Sequence, residues 1–347
     1  MTPRSPPHPP VVALPRSRGP EHAGQSSHVP ASIRSRSASS FTSRQARTVW
    51  AQTGPMTSQT PTTSGASTPE PDSGDDGITD AVVDAYLTRI GADRPVRAGI
   101  EALRELQHRH LLAVPFENLS VHLGEDIVLE ERALMDKVTG GRGGFCYELN
   151  GAFGALLRAL GFRVALLQAR VFGDGGRLGI PYDHMALRVE TEDGTGPWLA
   201  DVGFGDNALR PLALDDRTEQ EDPRGVFRFR EAPQGDLDLL RGGSRQYRLD
   251  LRPRTLPEFR GGAWYHRTSP DSHFTRSLVC SRYTETGQVT LSGRSLVTTV
   301  GGERHRTELA TDEEVLAAYR DHFGVRLTRV PEVRAAAVAV PGKGPGR

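Results

Sequence analysis

Cysteine is scarce in this chain: Cys146 and Cys280 are the two thiols among 347 residues. That is no disulfide framework, and it leaves room for a free functional thiol in a reducing compartment. A charge excess of either sign is missing as well. Lys plus Arg and Asp plus Glu each number 43, so no domain-wide basic surplus points to nucleic acid. No apolar run approaches the ~20 residues of a bilayer span, and no charged-then-apolar signal opens the chain. The segments VGFG and GRGG do not complete a G-x-G-x-x-G fingerprint. No G-x-x-x-x-G-K-[ST] occurs either, so nucleotide-triphosphate chemistry has no support. His108, His110 and His122 lie near one another without metal-ligand spacing; they read as surface or packing residues, and no metal is expected. These absences leave a cytoplasmic protein with no nucleic-acid or membrane partner as the expectation. No internal repeat is present.

Composition divides what remains. Residues 1–77 are rich in Pro, Ser, Thr and Gly and poor in large apolar side chains, so a disordered leader is expected. Its first half is basic (SIRSRSASSFTSRQAR). Its second half begins at Met56, a possible second start, and ends acidic in PEPDSGDDG. The Arg- and Ser-rich, acid-poor half also fits a transit peptide, although a plain tail is the simpler reading. From Ile78 the pattern becomes helical. Val82, Val83, Tyr86, Leu87 and Ile90 share one face, and Gly91 suits a C-terminal stop. A second helix follows through RAGIEALRELQHRHLL and ends at the turn-like PFENL. A third starts near Cys146, with Leu149, Phe153, Leu156, Leu157 and Leu160 as its stripe. The period then changes. RVALLQARVF, HMALRVE and PWLADVGF read as strands, as do RQYRLDLRP, HFTRSLVCSRYT, GQVTLS and RSLVTTV. A helix closes the pattern, with Thr311 and Glu314 as a capping box in TDEEVLAAYRDHFG. Helices, then antiparallel strands, then a mixed end predict an α+β protein in more than one lobe.

The densest chemical signal is TGGRGGFCYELNGAFGALL. Here a cysteine opens a helix directly after a Gly-rich turn. Helix N-termini offer free N–H groups and partial positive charge, which favour thiolate over thiol. The same N–H groups, that of Cys146 included, are candidate oxyanion donors. A lone cysteine is otherwise more often a buried packing residue, and Cys280, in a strand-like run, is read that way. A thiolate needs a base and an orienter. His184 opens one strand and Asp201 lies on the next. In a hairpin around TEDGTGP the two share a face only if paired residue numbers sum to an odd value, or if a bulge corrects the register. Taken alone, either is an ordinary polar residue; with Cys146 they complete a nucleophile, base and orienter. Trp198 and Trp264 are expected in the core.

VPFENLSVHLG, RGGFCYELNGAFGALLRALGF, DHMALRV and LADVGFG, in this order, resemble the arylamine N-acetyltransferases. The resemblance runs from about Ile78 to Phe323. It implies a helical bundle, then an antiparallel β-barrel, then an α/β lid, around a triad like that of cysteine proteases. On this chain those parts would be residues 78–161, 162–265 and 266–330, with a flexible tail at 331–347. It also implies roles. Cys146 would be the acetyl-accepting nucleophile, His184 the base and Asp201 the orienter. Phe116 and Phe204 would line the acceptor pocket, and Glu117 and Arg142 would support the site. The implied activity is ping-pong transfer from acetyl-CoA to an arylamine, and to N-hydroxyarylamines as an O-acetylation. This is chemistry of xenobiotic metabolism, with acetyl-CoA as a substrate and no permanent cofactor. An amide synthase closing a macrolactam from a carrier-bound acyl chain is an alternative within the same resemblance. A hydrolytic transglutaminase-like or peptidase enzyme and a non-catalytic binding protein stand further off; the second would be marked by a broken triad. The stretch from about Asp215 to Arg245 departs from the pattern, being rich in charge and poor in the family's signature.

Overall fold

The computed structural model of this protein describes residues 77–333. Almost all of the expected leader and most of the expected tail lie outside the described residues. The chain opens with helices α1 (Asp80–Ile90) and α2 (Ile100–Ala113), a two-residue strand β1 (Phe116–Glu117), a short α3 (Leu119–Leu123), α4 (Glu131–Thr139) and α5 (Cys146–Ala159). α1 buries the five residues of its apolar face and stops at Gly91, whose φ of 66° is left-handed. α5 is buried on every side from Cys146 to Leu157 rather than along one stripe. It is sandwiched between α4 and two barrel strands. Gly151 permits that closeness, because a Cβ there would come within 2.5 Å of Leu134 Cδ1.

The next strands are β2 (Arg163–Val171), β3 (His184–Glu190), β4 (Trp198–Ala200), β5 (Leu212–Ala213), β6 (Gln220–Asp222), β7 (Gly225–Glu231), β8 (Leu237–Arg241) and β9 (Ser244–Leu249). They form one antiparallel sheet in the order β5-β4-β3-β2-β9-β8-β7-β6, a nearly closed barrel. The seam between its end strands is bridged by a side chain: Gln220 accepts from Ala213 N at 2.7 Å and donates to Ala213 O at 2.9 Å. That amide does for the two edges what a backbone ladder would. The charge-rich stretch from Asp215 to Arg245 supplies β6, β7 and β8. In β7, Phe227 and Phe229 point inward while Val226, Arg228 and Arg230 stay exposed, a clean period of two.

Helices α6 (Arg260–Thr268) and α7 (His273–Arg276) lead to β10 (Cys280–Thr284), β11 (Gly287–Ser292), β12 (Ser295–Val300), β13 (Glu303–Glu308) and α8 (Asp312–Phe323). These strands make a second antiparallel sheet, β1-β10-β11-β12-β13, to which β1 adds itself from the helical part of the chain. α8 covers that sheet with Val315, Ala318, Tyr319 and Phe323, and its capping box at Thr311 and Glu314 is formed. Two expectations change. HFTR is a helical turn rather than strand, and the strand begins at Cys280. Trp264 is not in the core; it is 67% exposed on α6. Among the described residues, no helix is long and apolar enough to cross a membrane.

Candidate active site

Cys146 is the first residue of α5, reached from α4 through a glycine-rich turn that packs closely against Pro115, just ahead of β1. A Cβ on Gly143 would lie 1.8 Å from Pro115 O, so only glycine fits there. Glu148, three residues into the helix, accepts from Phe145 N at 3.2 Å and ties the turn to the helix start. The helix N-terminus thus faces the loop after β4. Gly203 on that loop lies against Cys146 itself, and a Cβ there would sit 2.7 Å from Cys146 Cα.

The β3–β4 hairpin pairs Leu187 with Ala200 and Val189 with Trp198, residue numbers that sum to an odd value. His184 and Asp201 therefore face the same side, and His184 Nε2 meets Asp201 Oδ2 at 2.9 Å. Nδ1 remains, and Cys146, which lines the same cleft, acts on that imidazole as well. Burial works against a charged ring, but the Asp201 carboxylate outweighs it and raises His184 to about 10. Asp201 is held below the ordinary carboxylate range. Its burial opposes this, and the His184 charge together with donors from Asn150 and Gly203 prevails.

Three side chains that sequence reasoning passed over complete this cage. Asn150 Nδ2 donates to Asp201 Oδ1 at 2.9 Å, and Asn150 Oδ1 accepts from Val202 N at 3.0 Å. Tyr247 Oη donates to Asp201 Oδ2 at 2.9 Å, and Asn207 Nδ2 donates to the same oxygen at 3.1 Å. A signal for Asn150 existed: it sits one helical turn after Cys146, a polar residue inside an apolar run. Nothing local marks Tyr247, which arrives from β9 across the barrel.

The other sequence candidates lie nearby. Phe116 and Phe204 both line a cleft of about 780 Å³ that also exposes Cys146 and His184. Phe204 packs its ring against His184 at 5.2 Å and Tyr247 at 5.0 Å between centroids. Glu117 is fully buried, accepts from Leu119 N, and pairs with Arg142 Nε at 3.0 Å. Arg142 also binds Glu125 at 2.9 Å. Cys280 is buried in β10, and burial pushes its thiol well above the usual range. His110 is buried too, bonded to Tyr86 Oη at 3.0 Å and pushed down to about 3 by burial and by Arg89. Among the described residues no group of His, Cys, Asp and Glu is arranged to hold a metal ion.

A family model described as N-acetyltransferase matches residues 99–332. The arylamine N-acetyltransferase / N-hydroxyarylamine O-acetyltransferase of Salmonella typhimurium is 36% identical over 216 residues, 60% of this chain and 75% of its own. The arylamine N-acetyltransferase of Mycolicibacterium smegmatis is 34% identical over 251 residues, 70% of this chain and 91% of its own. The structure of Mycobacterium marinum arylamine N-acetyltransferase in complex with CoA superposes with a TM-score of 0.65 at 30% identity, covering 70% of this chain and 92% of that one. This chain belongs to the arylamine N-acetyltransferase family. It is an acyltransferase.

Proposed function

We propose that the protein moves an acetyl group from acetyl-CoA to an arylamine, or to the oxygen of an N-hydroxyarylamine, with Cys146 Sγ as the intermediate carrier. The observation that carries this reading is the Cys146–His184–Asp201 chain of contacts opening onto an aromatic-lined cleft. The thiolate attacks the thioester carbonyl, coenzyme A leaves as a thiol after taking the proton held on His184, and an acetyl-cysteine remains. One thioester replaces another, so this step is near thermoneutral and depends mainly on positioning and on stabilising the oxyanion. The amine then attacks the acetyl-cysteine, His184 accepts its proton, and Sγ leaves as thiolate. Asp201 keeps the imidazole oriented through both halves. Phe116 and Phe204 form the wall against which an aromatic acceptor stacks. Glu117 and Arg142 hold β1 to the turn before Cys146. The match to a relative crystallised with CoA supports acetyl-CoA as the donor.

Brief exposure to acetyl-CoA without an acceptor should add one acetyl group, seen in the intact mass. Cys146→Ala should abolish the adduct and Cys280→Ala should retain it. Labelling that follows Cys280 would overturn the assignment.

A further inference from the structure

Two residues before the base, the backbone is strained. Tyr182 has a φ of 58°, a left-handed conformation that a bulky side chain rarely adopts. Such a corner persists only where its surroundings over-determine it, and here they do. Tyr147 Oη donates to Tyr182 O at 2.6 Å and lies 3.1 Å from Asp183 O. Tyr182 N donates to Gln168 Oε1 at 2.9 Å, and Asp183 Oδ2 accepts from Val171 N at 3.1 Å. The remaining carboxylate oxygen, Asp183 Oδ1, meets His266 Nε2 at 3.1 Å. His266 is itself fixed by Ser272 Oγ on Nδ1 at 3.1 Å and by the edge-to-face ring of Phe274. Two glycines vacate the space: a Cβ on Gly179 would lie 1.9 Å from Asp183 Oδ2, and one on Gly262 would lie 2.4 Å from Tyr182 O.

The corner therefore has two kinds of anchor. Most belong to the barrel strand or to the residue beside Cys146. His266 comes from α6, which is distant in sequence, and it lines the same cleft as Cys146. We propose that His266, through Asp183, is a positioning residue for His184: its Nε2 contact holds the Tyr182–Asp183 corner that presents the base to Cys146. The proposal rests on the acyl-transfer reading for its kinetic consequence and on geometry alone for its effect on the thiol. The plainer alternative is that His266 only packs α6 against α7 through Ser272 and Phe274.

Two conservative variants separate these. In His266→Gln the amide nitrogen reaches the place of Nε2 and keeps the Asp183 contact. In His266→Asn it reaches only the place of Nδ1 and keeps the Ser272 contact. Alkylation of Cys146 by iodoacetamide across pH needs no acyl donor, so it reads the thiol–imidazole pairing even if Cys146 never takes an acetyl group. His266→Asn should displace that pH profile and slow single-turnover acetylation on the order of tenfold to a hundredfold, the scale of a small misplacement of a reacting group. Its KM for acetyl-CoA should stay unchanged. His266→Gln should match the wild type in both measurements. Equal impairment of the two variants, or a wild-type alkylation profile in His266→Asn with only a lower melting temperature, would overturn the proposal.

Discussion

The Asp201 carboxylate is buried, and four neighbours besides His184 bring donors to it. A carboxylate so satisfied stays ionised, and its charge keeps the adjacent imidazole protonated. The linkage has a definite sign. His184 is raised from its ordinary 6.5 to about 10, so its charge stabilises the fold fully below pH 6.5, and this contribution is lost as pH rises toward 10. The urea midpoint should therefore fall more steeply between those pH values in the wild type than in His184→Gln. A gap between the two proteins that does not change with pH would contradict the coupling. Phe204 poses a different question, since it is half-buried, touches the His184 ring and faces the cleft. As a wall of the acceptor pocket, Phe204→Ser should re-rank small and bulky arylamines more than it slows acetylation of Cys146. A plain core role would instead cost up to the ~3–5 kcal/mol typical of a truncated buried Phe and depress both half-reactions together. Acetylation rates measured beside turnover with a series of amines decide between them.

Among the elements, β1 carries more than its two residues suggest. Glu117 is buried and meets a guanidinium from the turn that delivers Cys146. Breaking a buried pair on one side costs about 3–5 kcal/mol, and the partial exposure of Arg142 sets its case near the lower end. Arg142→Ala should lose soluble, folded protein before it loses any particular catalytic step. An Arg142→Ala protein that melts like the wild type would contradict this. The elements differ in how openly the chain announces them. α1, α5, β2 and β3 carry strong periodic apolar patterns, and their boundaries follow. β7 alternates as well, but its Arg-rich outer face masks two buried Phe. β13 (ERHRTE) is exposed throughout, so it has no apolar pattern to read. Its charges suit an edge strand, which must not pair with another chain. Trp264 misleads for the opposite reason: a large aromatic on an amphipathic helix suggests burial, and tertiary packing left it outside.

Across residues 77–333, both sheets, the start of α5 and the α6–α7 segment meet around one cleft, and the residues lining it come from distant parts of the chain. That is why the site was only partly legible. Cys146 announces itself through its Gly-rich helix entry. His184 and Asp201 are tied together by hairpin register, which parity arithmetic can test. Tyr247 and His266 reach the centre only through barrel closure and the packing of α6, and neither leaves a local mark. The contrast between the two thiols also belongs to this scale. Cys280 lies inside a sheet where burial suppresses ionisation, whereas Cys146 opens a helix beside an imidazole in a cleft. In the proposed mechanism Cys146 carries the acetyl group between two separate half-reactions. The direct measurement is to acetylate the enzyme, remove all acetyl-CoA and coenzyme A by desalting, and add an arylamine alone. One equivalent of N-acetylarylamine should form as the intact mass falls by one acetyl group. Product that appears only when acetyl-CoA and amine are present together, with the adduct untouched by amine, would contradict that mechanism.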